Sequence, residues 1–174
     1  MTYEDAKAIE EDKTLTAIKI VAPVYNSRSQ VVYGDSNTNT QIYGVTESYK
    51  DIRSIELSAG ENILSRDVLA MSNIAVLGPT VVDDLFGEDV DDSSVIGQMI
   101  RIGSLNFRVT GVTKSKGSSG FNNQDDLIYI PLTTARKKLF GVKHISSMLV
   151  EATDDEVMTM AMNQIGYTLM ERHG

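Results

Sequence analysis

Cysteine and tryptophan are absent from the 174 residues, histidine occurs twice and proline three times. Without cysteine there is no disulfide framework, no thiolate metal site and no cysteine nucleophile. His144 and His173 make a zinc site only if carboxylates join them. Basic charge is also scarce. Sixteen Lys and Arg against 24 Asp and Glu leave a net charge of −8, so the chain lacks the basic face that binds nucleic acid by displacing counterions, and an anionic membrane surface is disfavoured for the same reason. Long apolar runs are missing too. None approaches the roughly 20 residues of a membrane-spanning helix, and no basic, apolar, small-residue leader opens the chain. A soluble segment is expected, and it can equally be the soluble part of a membrane protein.

What is present is an ordinary globular mixture, 41% apolar and 23% charged, enough for a core in one or two domains. Thr2 with Asp5 three residues later marks the start of a short helix in "TYEDAKAIEE". "LTAIKIVAPVY" and "QVVYG" read as strands, "DSNTNT" as a hairpin loop and "QIYGV" as the returning strand. Tyr49, Ile52 and Ile55 have helical spacing. "NIAVLG" is a buried strand leading through Pro79 into a helix, "TVVDDLF".

"QMIRIGSLNFRVTGV" predicts two strands around Gly103 and Ser104. "TKSKGSSGFNNQDD" then reads as a long polar loop, of a length found in mobile or functional loops. "LIYIP" is a strand, "LTTARKKLFG" a short helix ended by Gly141, and "ISSMLVEA" the last strand. A capping pair, Thr153 and Glu156, opens a terminal helix with Val157, Ala161, Ile165 and Leu169 on one face. The pattern is mixed α+β, with a β-rich middle between strand-and-helix ends, as if one unit were inserted into another.

Several stretches invite a chemical reading. The acidic pairs Asp83/Asp84, Asp91/Asp92, Asp125/Asp126 and Asp154/Asp155 are candidates for acid/base catalysis, but adjacent carboxylates on a helix diverge by about 100° and no partner group accompanies them. "GEDVDDSSVIG" is rich in oxygen ligands yet lacks the glycine and distal glutamate of a calcium loop. Met158, Met160 and Met162 diverge on a helix and read as packing residues. "GVTKSKGSSG" lacks the Gly-Lys-Ser/Thr ending of a phosphate loop. Phe121 stands out in the long loop, where it either meets a partner or folds back onto the domain. The turn at Gly78, between a strand and a helix bearing Asp83 and Asp84, has the layout of a catalytic turn without a nucleophile. An architectural role is expected of it.

In order along the chain, these segments resemble the extracytoplasmic, or periplasmic core, domain of MacB-type ABC transporter permeases within the FtsX-like group. Thr2, Asp5 and Ala6 match that family's opening helix, Val21 and Pro23 its Val-x-Pro strand, and Gly44, Val45, Thr46 and Tyr49 its Gly-Val-Thr-x-x-Tyr segment. Ala75 to Gly78 and Leu85 to Gly87 match the strand and the helix end of "NIAVLGPTVVDDLFG". "IGQMIRIGSLNFRVTGV" and "DDLIYIPLTTARKKLFG" are similar to the hairpin and strand that follow, with Gln98 in place of the usual lysine and "DSSVIG" in place of a proline-containing turn.

The resemblance implies a porter subdomain of strand-helix units formed by both chain ends, residues 1–58 and 140–174, and an inserted β-rich sabre subdomain, residues 59–139. It implies no catalytic residue, cofactor or metal site in this chain, and an ATPase in a separate cytoplasmic subunit or domain. It further implies a permease homodimer at the cell membrane, with this segment extracellular or periplasmic, and a membrane-fusion, MacA-like adaptor as partner. Efflux of antibiotics, peptides or similar cargo would follow. The alternative within the group is an FtsX or lipoprotein-release permease domain that engages a lipoprotein or a cell-wall hydrolase. Gly120, Phe121, Asn122 and Asn123 are the expected partner-contact residues.

Overall fold

The computed structural model describes residues 2, 4, 5, 7, 8, 18–115, 118, 119, 122, 123 and 125–152. The opening turn forms as the capping pattern predicts: Thr2 N donates to Asp5 Oδ2 at 2.9 Å and Asp5 N to Thr2 Oγ1 at 3.2 Å.

Strand β1, Ile18–Tyr33, is continuous over 16 residues and turns directly into β2, Ser36–Val45. The sequence divides this stretch into two strands and a "DSNTNT" loop, and the structure corrects that. Tyr33 pairs with Ser36, so only Gly34 and Asp35 turn, and Gly34 at φ 57° takes the left-handed first position of a two-residue hairpin. The polar run stays extended because its side chains find partners on alternate faces. Arg28 donates to Asn39 Oδ1 at 2.8 Å and to its carbonyl at 3.0 Å. On the other face Thr38 donates to Asp84 at 3.0 Å and the buried Thr40 to Asp126 at 2.6 Å.

Helix α1, Tyr49–Arg53, ends at Ser54, whose φ of 52° closes it in a left-handed turn. Then come β3 (Leu57–Gly60), α2 (Ser65–Leu69), β4 (Ile74–Leu77), α3 (Pro79–Phe86) and α4 (Asp92–Val95). β5 (Met99–Ile102) and β6 (Leu105–Thr113) form the expected hairpin, with Gly103 at φ 58°. β7 (Ser118–Ser119), β8 (Asn122–Asn123), β9 (Leu127–Pro131) and β10 (Ser147–Ala152) complete the strands. The short helix expected at "LTTARKKLFG" is wound more widely, as a π-helical segment, Thr134–Leu139. Its last turn bonds Phe140 N to Ala135 O at 2.9 Å. Thr134, Ala135 and Arg136 are all buried, and a widened turn accommodates three successive inward residues. The terminal helix expected after Thr153 lies outside the described residues.

The strands make one eight-stranded sheet plus the small β7–β8 pair. β1 pairs antiparallel with β2, β2 parallel with β9, β9 antiparallel with β4, β4 parallel with β6, and β6 antiparallel with β5. β5 then returns to β1 through Val31↔Ile102 and Val32↔Arg101. Those strands close into a barrel. β3 extends it from β6, and β10 from the first half of β1.

Alternation along each strand separates two cores. Ile128 and Ile130 of β9, Ala75 and Leu77 of β4, Ile100 and Ile102 of β5 and Phe107 of β6 share the inner cluster, together with Val81, Val82 and Leu85 of α3. Leu127, Tyr129 and Val76 face the other way, with Ala22, Val24, Val45 and Tyr49. Each such side chain contributes about 1.5–3 kcal/mol on burial. Tyr49 and Tyr129 lie 5.4 Å apart between ring centroids, and burial raises the pKa of both phenols.

Because β1 and β2 complete a barrel whose other strands come from the middle of the chain, urea unfolding is expected to show one cooperative transition, superimposable by far-UV and tyrosine signals. Two separated transitions would contradict barrel closure.

Candidate partner-contact surface

Gly78 ends β4 and begins α3, and its backbone lies directly against the segment before β9. Its N–H donates to Leu127 O at 2.9 Å, and Thr80 N donates to Asp125 O at 3.2 Å. A Cβ at position 78 would fall 2.2 Å from the Asp125 carbonyl oxygen, so only glycine fits although φ is an ordinary −75°. Pro79, with no N–H to leave unpaired, takes the first helical position. The turn is architectural, and it fixes the base of the long polar loop.

That base is further held by Ser115, whose hydroxyl donates to Asp125 Oδ2 at 2.6 Å. Lys114 N donates to Glu56 O at 2.9 Å. Beyond the base the sequence predicts no regular structure, yet Ser118 pairs with Asn123 and Ser119 with Asn122 in an antiparallel ladder. Asn122 and Asn123 are therefore strand residues of a small hairpin. Gly120 and Phe121, which connect its strands, lie outside the described residues.

The acidic side chains are engaged locally. Asp91 caps α4 by accepting from Ser93 N at 3.1 Å, and Asp92 accepts from the Ser58 hydroxyl. Asp84 and Asp126 accept from Thr38 and Thr40. Asp83 is exposed on α3. Partial desolvation, then the neighbouring Glu88, Asp84 and Asp92 carboxylates, raise its pKa. Among the described residues no three metal-ligating side chains come together. Asp154, Asp155, His173 and the methionines 158, 160 and 162 lie outside them. His144 bridges to Thr2 and sets its ring edge-on to Tyr25 at 5.5 Å. Sequence reasoning missed Ser115 and Asp125 as the loop's clasp; their flanking positions were visible, their pairing was not.

A family model, the MacB-like periplasmic core domain, matches residues 1–166. The chain belongs to this family. It is 33% identical over 173 residues to a macrolide export ATP-binding/permease protein MacB of Bdellovibrio bacteriovorus, and 32% over 172 residues to that of Chlorobaculum tepidum. Each alignment covers 99% of the chain and 26% of the relative, so the chain spans about a quarter of the length of these relatives. The extracellular domain of the transporter YknZ from Gram-positive bacteria superposes with a TM-score of 0.85 at 18% identity, over 100% of this chain and 84% of that one. The periplasmic region of MacB from Actinobacillus actinomycetemcomitans does so with 0.84 at 24% identity, over 100% and 75%. These likenesses show the α+β fold and agree with a porter and sabre organisation. Among the described residues no helix is long and apolar enough to cross a membrane. Gln98 Oε1 accepts from the Tyr33 hydroxyl at 3.2 Å.

Substituting Gly78→Ala is expected to destabilise the chain by about 2 kcal/mol or more, since rigid backbone must move. Amide exchange at residues 114–127 should rise with it. An unchanged urea midpoint would contradict the role given to Gly78.

Proposed function

We propose that the chain is the extracytoplasmic part of a MacB-like ABC transporter permease, and that its own role is mechanical and adhesive rather than catalytic. The observation that carries this reading is the family match along nearly the whole chain, together with relatives named macrolide export ATP-binding/permease proteins, of which the chain covers about a quarter. ATP binding and hydrolysis in a cytoplasmic ATPase move the membrane spans of a permease homodimer, and the spans move this domain. Cargo is a macrolide antibiotic, a peptide or a similar amphipathic molecule, passed on with a MacA-like adaptor.

The physical properties suit that role. A closed barrel with a packed interior resists shear, so a push at one end displaces the whole. Residues 1–58 with 140–174 act as the porter part near the membrane, and residues 59–139 as the sabre part. The segment at 118–123 is the adaptor contact, through Gly120, Phe121, Asn122 and Asn123. Its base is clasped by Ser115 and Asp125, which gives the contact segment a fixed origin.

The adaptor encoded beside the full-length permease supplies the test. Shortening residues 116–124 to a Gly-Gly turn is expected to weaken adaptor binding about tenfold or more, the loss of a hot-spot contact, while the urea midpoint of the domain is kept. Unchanged affinity in a folded variant would remove the hairpin from the interface.

A further inference from the structure

Two interior ionisable side chains remain outside this description: Asp5 is 1% exposed and Arg136 3%. A buried carboxylate or guanidinium persists in its charged form only when a partner compensates it. Both converge on one strip of backbone. Asp5 exchanges hydrogen bonds with Thr2, and Thr2 bridges to His144. Arg136 donates from Nη2 to the carbonyl of Lys143, the preceding residue, at 2.6 Å. The other buried acid, Asp125, is held elsewhere, by Ser115 and beside Gly78.

We propose that Asp5 and Arg136 form a buried ion pair joining the opening helix to the π-helical segment, and that this joint carries displacement of the chain's first residues into the barrel. The route rests on the mechanical reading above; the pair does not.

Beyond Arg136 the route is continuous. Ala135 belongs to the inner core, and a Cβ on Gly44 of β2 would lie 2.5 Å from its Cβ. On the opposite flank Thr133, at the N-cap of the segment, and two side chains within it hold the end of α2 and the residues after it. Thr133 donates to Val68 O, Thr134 to Ser72 O at 2.8 Å, and Lys138 to Met71 O at 2.9 Å. Met71 has a φ of 50°, a conformation that the surrounding bonds must hold in place. The segment is thus fixed to the barrel wall and to α2, and a pull on Arg136 moves both.

Hydrogen exchange on the 174-residue chain tests the pair, with Asp5→Asn, Arg136→Gln and the double variant. Each single variant is expected to speed exchange at Glu4, Asp5, Lys7 and Ala8 on the order of a hundredfold, the cost of an uncompensated buried charge. The double variant should lose much less than the product of the two. Independent, multiplying effects, or protected amides in Asp5→Asn, would overturn the pair. If a single variant does not fold, a double variant that folds supports it. If neither folds, the unaltered chain decides: a coupling across the hydrogen bond between an Arg136 guanidinium nitrogen and the Asp5 carboxyl carbon supports the pair, and its absence overturns it. These readouts need neither adaptor nor ATP. The route is tested apart, in the full-length transporter carrying Asp5→Asn, where ATP hydrolysis should persist while export falls. Export at the unaltered rate would overturn the route and leave the pair standing.

Discussion

Val31 with Ile102 and Val32 with Arg101 are a small part of the backbone pairing, yet the architecture depends on them because they bring β5 back to β1. An open sheet of this order would expose the edges of β1 and β5 along their far halves and leave Val31, Ile100, Ile102 and Phe107 covered on one side only. Closure satisfies the edges and seals the interior, where these residues are no more than 2% exposed. Closure also forces backbones together. A Cβ on Gly111 would lie 2.5 Å from the Glu61 carbonyl, and one on Gly78 would lie 2.2 Å from that of Asp125. Small residues at those points are conditions of the barrel rather than marks of a catalytic turn.

A closed, packed body suits the mechanical role proposed for this domain. Several of its carboxylates cap helices or accept from hydroxyls, as Asp91 does from Ser93 N and Asp126 from Thr40. The first half of β1 leaves the barrel to pair with β10, so the strand that begins among the barrel's flanking elements ends in its wall. A displacement at the Ile18 end of β1 is therefore transmitted along a single strand.

Much of this was legible in the sequence. The Thr2 and Asp5 cap, the Gly103 hairpin, the strand–Gly78–Pro79–helix passage and the strand at β9 follow from local patterns, and the ordered set of short motifs pointed to the family. What was not legible is non-local or masked by composition. "DSNTNT" reads as a loop by residue type, but Thr38 and Thr40 are held in a strand by Asp84 and Asp126, distant in sequence. Barrel closure depends on β5 meeting β1, which no local window contains. The wide winding at Thr134–Leu139 follows from three consecutive buried positions, a tertiary demand. Both cores draw on residues from each side of residue 59, a long-range arrangement that no local window contains.

With no cysteine in these 174 residues, labels introduced here have no native thiol of the domain to compete with, and the central claim becomes measurable. Paired spin labels at Asp35, on the hairpin turn, and Lys137, on the π-helical segment, report internal shape in the assembled transporter, and a single label at Asp35 in each copy reports the separation between copies. Pulsed electron–electron distances with and without ATP are expected to leave the internal distance unchanged while the distance between copies shifts. An internal distance that changes with nucleotide, or a fixed separation between copies, would contradict a rigid body moved by the membrane spans.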